Sequence, residues 1–510
     1  MAGDGLPEDG ASTSPGSERL GHLARGTFWG LLGEGIALPT ALVLTAFLTR
    51  RFDPDEFGVL ALAITMVTWL QWTLTSPLNR SAVKLVSEAD QRDAAIRTVV
   101  LAYTLLGVAG AALVVVAGGP IASFLGEPAI APYVRLLALE MFFACLTVAY
   151  RSGLVGSGQF GYRAGGSALR WTVRMVLIVA LVEAGLGLYG VILGGVGSWM
   201  AELAYARRRI RLSPFRGPRM SFRPLVAVAG PLVFIAFATR FVESADLFFL
   251  QALSRDTAEA GYYGAARSLA LVPAFLSAAA AMPILATLGH MTREGDHEAA
   301  RALGRTSIRT LLILAPLAAV ASGSTGEIVG LIMGPEFGPA ATPMSLLLPS
   351  AVAMLGVKLS VLVLTAADRY RLTMLVGGLL PPAAVGAYLL LVPRYGGVGA
   401  AGATLAVAVG GAVALLWAVE RVWSGSLPAG TAWRAAALSV AGFVAARATP
   451  VSDLFVVPKL SLLAMAVLGG FALTGEFDAE ERALLRRVPS RMTSWLRLGR
   501  GADADGPEAP

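Results

Sequence analysis

Long apolar stretches without a formally charged residue dominate the sequence. The clearest are Thr98–Ala117, Ser268–Thr292, Leu372–Pro393 and Tyr395–Val419. Each reaches the ~20 residues that a helix needs to cross a ~30 Å hydrocarbon layer. Because every backbone polar group must be satisfied inside such a layer, we expect helices rather than open sheets. The pattern therefore predicts an all-α polytopic membrane protein.

The same pattern, followed along the chain, predicts fourteen membrane spans, of which the last two are the weakest. Arg447 and Lys459 shorten the uncharged stretches of those two, so we expect twelve to fourteen spans. The predicted spans are residues 26–49, 58–78, 98–118, 133–150, 169–187, 188–206, 225–251, 262–288, 306–323, 341–365, 372–393, 396–419, 429–447 and 454–474. The segments between them do not exceed about 20 residues, which is too short for a separate catalytic domain.

Composition excludes the soluble classes of protein. Of 510 residues, 55% are hydrophobic and 15% are charged, and the mean hydropathy is +0.67. A soluble domain carries about 25% charged residues. Cys145 is the single cysteine, and the three histidines (His22, His290 and His297) lie in polar segments without the spacing of metal ligands. We therefore expect no disulfide, no metal and no cofactor.

Basic residues are distributed unevenly over the predicted loops. Most of the 41 Lys and Arg residues fall on the side of the membrane that holds both termini, and seven arginines crowd into Arg207–Arg223. By the positive-inside rule, both termini are predicted to be cytoplasmic. The net charge of +7 then reflects a basic face against anionic lipid, with no need for nucleic acid.

Three segments recur in the same order, roughly 200 residues apart. Leu48–Ala63 resembles Gln251–Ala266, with Gly58 matching Gly261; Ile121–Leu136 resembles Val329–Met344; and Gly187–Gly190 resembles Gly396–Gly399. The spacing corresponds to six spans, an even number. The two halves should therefore share one orientation and be related by an axis along the membrane normal.

This repeat predicts two six-helix lobes with two C-terminal helices packed outside them. The predicted units are a disordered tail (1–22), an N-lobe (23–206), a basic linker (207–224), a C-lobe (225–420), two extra spans (421–475) and a basic cytoplasmic tail (476–510). Parallel repeats of this kind usually enclose a substrate path near the midplane of the membrane.

Ionisable residues inside predicted spans are the candidate functional groups. A charge at membrane depth costs about 3 kcal/mol or more, so it usually pairs with another charge or lines a water-filled cavity. Span seven holds Arg240, Glu243 and Asp246, one helical turn apart. These three form a polar cavity wall or, alternatively, an internal ion pair that only holds helices together. The other candidates are Arg80, Arg267, Lys358, Glu34 and Glu140.

Some of these residues also have a purely structural interpretation. Arg267 and Arg174 lie near span ends, so their side chains could extend to the lipid headgroups instead, and the long stem of Lys358 permits the same. Glu140 could be a structural hydrogen-bond acceptor inside the bundle. The sequence leaves these alternatives open.

Three runs resemble the polysaccharide transporter (O-antigen flippase, Wzx-like) family of the multidrug/oligosaccharidyl-lipid/polysaccharide (MOP) superfamily: LTRRFDPDEFGVLALA, LFFLQALSRDTAEAGYYGAARSLALVP and MGPEFGPAATPMSLLLP. The resemblance extends over residues 20–475. It implies a flippase of a bacterial inner membrane, which moves a polyprenyl-pyrophosphate-linked oligosaccharide from one leaflet to the other by alternating access. Asp246 stands where many relatives have an aspartate, and Gly58 and Gly261 match the family's turn glycines. The arginine–aspartate pair of lipid II flippases is absent, so lipid II is a less expected cargo.

The resemblance implies a transporter and not an enzyme, serving capsule, O-antigen or exopolysaccharide biosynthesis. The expected pyrophosphate or cavity ligands are Arg240, Lys358, Arg80 and Arg267. The expected cavity acids, which could couple transport to H⁺ or Na⁺, are Glu34, Glu243, Asp246 and Glu140. Expected partners are the lipid-linked oligosaccharide, membrane lipids, and polymerases or glycosyltransferases of the pathway. The alternative is a MATE-like drug exporter, which would need an acidic cavity where a pyrophosphate needs a basic one.

Overall fold

The computed structural model describes a helical protein. The described residues are 35–212, 217–223, 225, 241, 243–270, 288, 291, 296–367, 369–423 and 428–476. Their helices are α1 (Ala37–Arg51), α2 (Pro54–Glu88), α3 (Arg92–Phe124), α4 (Ile130–Gly156), α5 (Phe160–Leu181), α6 (Gly187–Arg209), α7 (243–254), α8 (Thr257–Ala270), α9 (His297–Gly323), α10 (Thr325–Ile332), α11 (Ala341–Ala366), α12 (Tyr370–Val422), α13 (Ala429–Ala448) and α14 (Val456–Leu473). The described residues contain no strand, and the predicted all-α class is confirmed.

Nine helices in this part of the chain are long and apolar enough to cross a membrane. Two of them, Phe160–Arg209 and Arg371–Val422, contain 50 and 52 residues. A straight helix of that length would measure ~75 Å, more than twice the ~30 Å hydrocarbon layer. Each of the two therefore supplies a pair of spans. Predicted spans one, seven and eight fall only partly within the described residues, so the count of fourteen stays a prediction.

Both long helices turn back on themselves at a glycine. Gly187 has φ 54° and ψ −136°, and Gly396 has φ 54° and ψ −131°, a conformation that side chains rarely permit. Beyond each turn the second arm packs on the first. A methyl on Gly190 would touch the carbonyl of Leu181, and a methyl on Gly399 would overlap the carbonyl of Leu391. The segments that match in sequence thus form the same tight hairpin in each half of the chain.

A second pair of matched segments also shares its backbone geometry. Gly126 and Gly334 follow equivalent helices, α3 and α10, and both have positive φ, 72° and 94°. Each glycine ends its helix in the left-handed region that residues with a Cβ avoid. The repeat seen in the sequence is therefore a repeat of backbone structure at these turns.

The buried core extends through both halves of the chain. Its largest fully buried side chains include Tyr103, Tyr150, Tyr263, Tyr388 and Phe337. The helices α13 and α14 have a separate small core, in which Val320 of α9 packs with Val467 and Phe471 of α14. These two helices therefore lie against the C-terminal half, beside α9.

Candidate functional site

The helical bundle has two chemically different ends. Arg207, Arg208 and Arg209 form the exposed last turn of α6 and define what we term the basic end. Because successive spans run in opposite directions, the turn between α1 and α2 and the turn between α7 and α8 lie together at the other end, here termed the far end. These two turns are the first of the three pairs of repeated segments.

At the far end, the two halves of the chain touch through equivalent glycines of α2 and α8. A methyl built on Gly58 would overlap the carbonyl oxygen of Thr257 and lie 3.0 Å from the nitrogen of Gly261. A methyl built on Gly261 would overlap the carbonyl oxygen of Pro54 and lie 3.1 Å from the nitrogen of Gly58. We term the contact of these four residues the far-end seal. It brings the backbones of the two helices into direct contact.

Two further contacts flank the far-end seal. In one, the turn after α3 docks on the turn before α8: Thr257 donates to Glu127 at 3.1 Å and Gln251 donates to the carbonyl of Leu125 at 3.4 Å. In the other, Arg50 at the end of α1 donates to the carbonyl of Leu331 in the last turn of α10 at 2.7 Å. In each half of the chain, the second repeated segment (121–136 or 329–344) therefore contacts the first repeated segment of the other half (251–266 or 48–63).

An aromatic contact completes this region. The rings of Phe57 and Tyr262 both meet Phe337 edge-on, with centroids 5.6 and 5.9 Å apart. Phe337 is fully buried. Edge-on aromatic pairs at these distances are favourable. The three rings therefore fill the space between α2, α8 and the segment that carries Phe337.

Directly below the far-end seal, toward the basic end, α7, α8 and α11 bring four ionisable residues together. The Nζ atom of Lys358 lies 2.7 Å from a carboxylate oxygen of Glu243, and a guanidinium nitrogen of Arg267 lies 3.5 Å from Asp246. Tyr263 donates to the other oxygen of Asp246 at 2.9 Å. We term these five residues the C-half cluster. Arg267 follows Gly261 by six residues on α8, which places it ~9 Å below the seal.

The two ion pairs of the C-half cluster differ in exposure. The side chains of Asp246 and Arg267 are 4% and 16% exposed, and Arg267 also donates to the backbone carbonyl of Glu243. Lys358, in contrast, is 50% exposed while its partner Glu243 is 16% exposed. Arg267 is thus fixed by surrounding protein, whereas Lys358 reaches its partner from an open side.

Aromatic and hydroxyl side chains of α12 pack against α7. Phe249 of α7 stacks on Tyr388 with centroids 5.4 Å apart, and the hydroxyl of Tyr388 lies 3.1 Å from that of Thr404. Tyr388 and Thr404 lie on the two arms of α12. The hairpin at Gly396 therefore places both side chains where they hold the helix that carries Glu243 and Asp246.

The N-terminal half contains a second, internal polar network. Glu140 of α4 accepts hydrogen bonds from Arg174 at 3.3 Å and from the indole nitrogen of Trp199 at 3.1 Å. The side chain of Arg174 therefore points into the bundle and not to the lipid headgroups. The Glu140 carboxylate is 14% exposed, in line with the structural alternative, and its role as a cavity acid stays a prediction.

Sequence reasoning missed the strongest ion pairs of this network. Glu202 of α6, 1% exposed, pairs with Arg151 at 2.9 Å and with Arg170 at 3.0 Å. Arg170 also lies over the rings of Trp171 and Trp199, 4.4 and 4.5 Å from their centroids. Glu202 and Arg170 both lie inside predicted spans, so the rule that singled out Glu140 would also have found them. Their burial among aromatic rings marks them as a link between α4, α5 and α6.

The remaining predicted site residues are distributed as follows. The structure brings together Glu243, Asp246, Arg267 and Lys358, and Arg267 points inward instead of extending to the headgroups. Arg240 and Glu34 lie outside the described residues, as does the side chain of Arg80, whose backbone belongs to α2. Among the described residues there is no group of acids, histidines or cysteines that could hold a metal ion.

The fold of this chain is similar to the folds of several solved membrane transporters. The lipid II flippase MurJ in an inward closed conformation superposes with a TM-score of 0.72 at 13% identity, covering 91% of this chain and all of that one. An inward-facing multidrug resistance MATE transporter gives a TM-score of 0.59 at 13% identity, with 80% and 96% coverage. A MOP superfamily transporter from Pyrococcus furiosus gives 0.57 at 13%, with 82% and 96%. The chain thus has the fold of a multi-pass MOP superfamily transporter.

Sequence comparison then identifies the family. Residues 47–342 match the Polysaccharide biosynthesis protein family, and the chain belongs to it. The succinoglycan biosynthesis transport protein ExoT of Rhizobium meliloti (strain 1021) is 25% identical over 307 residues, which are 58% of this chain and 59% of the length of that relative. These findings confirm the resemblance drawn from the sequence. Family and fold point to a transporter rather than a catalytic enzyme.

Proposed function

We propose that this protein is a flippase that carries a polyprenyl-pyrophosphate-linked oligosaccharide across the bacterial inner membrane by alternating access. The observation that carries the proposal is the position of the C-half cluster, directly below the contact that joins the two halves of the chain at the far end. A cationic group beside the closed end of a path between two lobes is suited to hold an anionic headgroup until that end opens. The family match supports a saccharide cargo.

The distribution of arginine supports an orientation for this path. The exposed arginines of α6 and of the linker, including Arg211, Arg219 and Arg223, would face the cytoplasm by the positive-inside rule. The far end then faces outward, and both termini are cytoplasmic. In this orientation the far-end seal is closed to the outside, so the conformation described here receives cargo from the cytoplasmic leaflet. Cytoplasmic glycosyltransferases would supply the cargo and a polymerase outside would consume it.

Within the C-half cluster, Lys358 is the cation that we assign to the pyrophosphate. Among the described residues of the cluster, two acids balance two cations, so an anion that binds one of these cations competes with its carboxylate. Arg267 is held by Asp246, by Tyr263 through that acid, and by the carbonyl of Glu243. Lys358 has one half of its side chain exposed and can exchange Glu243 for a phosphate oxygen. Glu243, once released, is the acid that we assign to coupling by H⁺ or Na⁺.

The experiment that tests this function compares lysine variants in the native host. In a strain that lacks the chromosomal gene, Lys358→Gln should reduce surface polysaccharide to a small fraction of the wild-type amount, and Lys358→Arg should retain more of it. Lys84→Gln is the matched control, because Lys84 is exposed and pairs only loosely with Glu88 at 3.9 Å. Membrane levels of each variant, measured by immunoblot, correct for differences in expression.

The same strains separate the proposal from drug export. If deletion of the gene leaves surface polysaccharide normal and instead changes susceptibility to cationic drugs, the protein is a MATE-like exporter and the proposal is wrong. If Lys358→Gln exports polysaccharide as well as Lys84→Gln does, the flippase function can stand, but the assignment of Lys358 to the headgroup is overturned.

A further inference from the structure

The contact that closes the far end obeys the symmetry of the repeat. Pro54 precedes Gly58 by four residues, and Thr257 precedes Gly261 by four. Gly58 faces the carbonyl of Thr257 and Gly261 faces the carbonyl of Pro54, so the two contacts are equivalent under the repeat. The flanking contacts join corresponding segments through different residues: the turn after α3 meets the start of α8, and the last turn of α10 meets the end of α1. The far end is therefore a self-complementary surface, made from one structural unit used twice.

We propose that Gly58 and Gly261 are a matched pair of gate residues, whose missing side chains allow the far end to close. This inference rests on the proposed function for its direction, in which the far end faces outward. The physical reason is the direct contact of backbone with backbone. A methyl at either position meets a carbonyl oxygen and an amide nitrogen of the opposite helix, and neither can move aside as a flexible side chain could.

The gate explains why glycine and not merely a small residue occupies both positions. Neither glycine has positive φ; both lie within ordinary helix, where alanine has the better helix propensity. Local structure therefore favours alanine, and only the closed contact favours glycine. Because the open state lacks this contact, a methyl should penalise the closed state alone and shift the equilibrium toward a protein that is open at the far end.

Accessibility of a cysteine below the seal measures this shift directly. The reporter is Ser244→Cys in a Cys145→Ala background: Ser244 lies beside Arg267, 3.4 Å away, and differs from cysteine by one atom. A charged, membrane-impermeant maleimide is applied to intact cells and, separately, to inside-out vesicles. We expect Gly58→Ala and Gly261→Ala each to raise the rate of labelling in intact cells roughly tenfold. The matched control is Gly410→Ala, since a methyl on Gly410 has no atom within 4 Å.

The result that would overturn the proposal is equally specific. If both glycine variants reach normal membrane levels and label in intact cells at the rate of Gly410→Ala, the glycines are not gate residues. If the alanine variants do not fold, a second measurement replaces them. The side chain of Arg50 donates to the carbonyl of Leu331 beside the seal, so Arg50→Gln should weaken the closed contact and likewise raise the rate of labelling in intact cells. If Arg50→Gln labels at the rate of Gly410→Ala, the contacts seen here do not hold the far end closed, and the proposal is overturned.

These measurements do not depend on the cargo. If the glycine variants open the far end and Lys358→Gln nevertheless exports polysaccharide normally, the gate stands and the headgroup assignment fails. If polysaccharide export depends on Lys358 while the glycine variants label like the control, the proposed function stands and the gate fails. The two inferences can therefore fail separately.

Discussion

At the scale of single residues, Asp246 and Glu243 lie one helical turn apart on α7 but differ in burial and in their partners. Asp246 is almost fully buried, accepts from Tyr263 and pairs with Arg267, whereas Glu243 faces a half-exposed lysine. The spacing of the acids on one helix face could be predicted, because it depends on helix geometry alone. The partner of Glu243 could not be predicted in this way, because Lys358 is more than 100 residues away and approaches only when α11 packs beside α7.

Replacing Asp246 should cost more stability than replacing its hydrogen-bond donor. Asp246→Asn removes the carboxylate that pairs with the mostly buried Arg267, and breaking a buried pair in this way costs about 3–5 kcal/mol. Tyr263→Phe removes one hydrogen bond, a loss of about 1 kcal/mol. We therefore expect both variants to lower the melting temperature of the purified protein in detergent, Asp246→Asn by clearly more. Asp55→Asn, at an exposed position of α2, serves as the control. Equal melting temperatures for Asp246→Asn and Asp55→Asn would contradict this view of the ion pair.

At the scale of helices, the two glycine hairpins have the same backbone conformation in different surroundings. Gly187 and Gly396 share φ and ψ within a few degrees, but their surroundings differ. A methyl on Gly187 has no atom within 4 Å, while a methyl on Gly396 would overlap the carboxylate of Glu259, which accepts from the nitrogen of Gly397 at 2.6 Å. The sequence match between them could be found without a structure, but this difference could not.

Alanine at the two hairpin glycines should therefore be unequally harmful. Gly187→Ala adds only backbone strain, about 1–3 kcal/mol for a conformation that glycine alone adopts freely. Gly396→Ala adds the same strain and also displaces Glu259 from the nitrogen of Gly397. We expect the larger fall in melting temperature for Gly396→Ala. Glu259→Gln should lessen the difference, since part of the penalty for Gly396→Ala is the displaced carboxylate. A larger fall for Gly187→Ala would show that local strain alone does not set the cost at Gly187.

The attachment of α14 gives a prediction about pairs of helices. Lys459, 7% exposed, binds both carboxylate oxygens of Glu327 at 2.6 and 2.8 Å and the carbonyl of Ala446 at 2.7 Å. Its charge shortened the predicted fourteenth span, yet here it anchors that helix to α10. Lys459→Met should lower the melting temperature strongly because it removes the cation that pairs with the mostly buried carboxylate of Glu327, and adding Glu327→Gln should restore most of the loss. Lys84→Met, at an exposed ion pair, should change little. No recovery in the double variant would mean that the packing of Lys459, and not its charge, holds α14.

At the scale of the whole molecule, the repeat in the sequence was enough to predict two equivalent halves, but not how they meet. Each matched segment predicts a turn because glycine and proline act locally. The contact of Gly58 with Gly261 depends on which face of α2 meets α8, and that is decided by packing along the whole length of both helices. The linker between the halves is a similar case. Its seven arginines predicted a side of the membrane, but no pattern predicted where the linker docks.

A buried threonine, Thr98 of α3, helps to hold the linker on the N-terminal half. The hydroxyl of Thr98 accepts from the nitrogen of Met220 at 2.8 Å and lies 3.3 Å from its carbonyl oxygen, and Gly217 packs against the guanidinium of Arg97. Leu225, five residues beyond Met220, is buried in the same core. Because five residues span at most ~18 Å, the start of the second half cannot leave the first without breaking this contact.

Loss of that hydroxyl should expose the linker to protease. In inside-out vesicles, Thr98→Val should raise the rate of tryptic cleavage at the exposed Arg219 and Arg223 roughly five- to tenfold, because cleavage follows the population of released linker and about 1–1.5 kcal/mol of hydrogen bonding is lost. Thr104→Val is the matched control: its hydroxyl bonds the carbonyl of Val100 at 2.7 Å within the same helix. Equal cleavage of the two variants would show that Thr98 does not hold the linker. Cleavage from the outside of intact cells would instead reverse the orientation on which the flippase proposal depends.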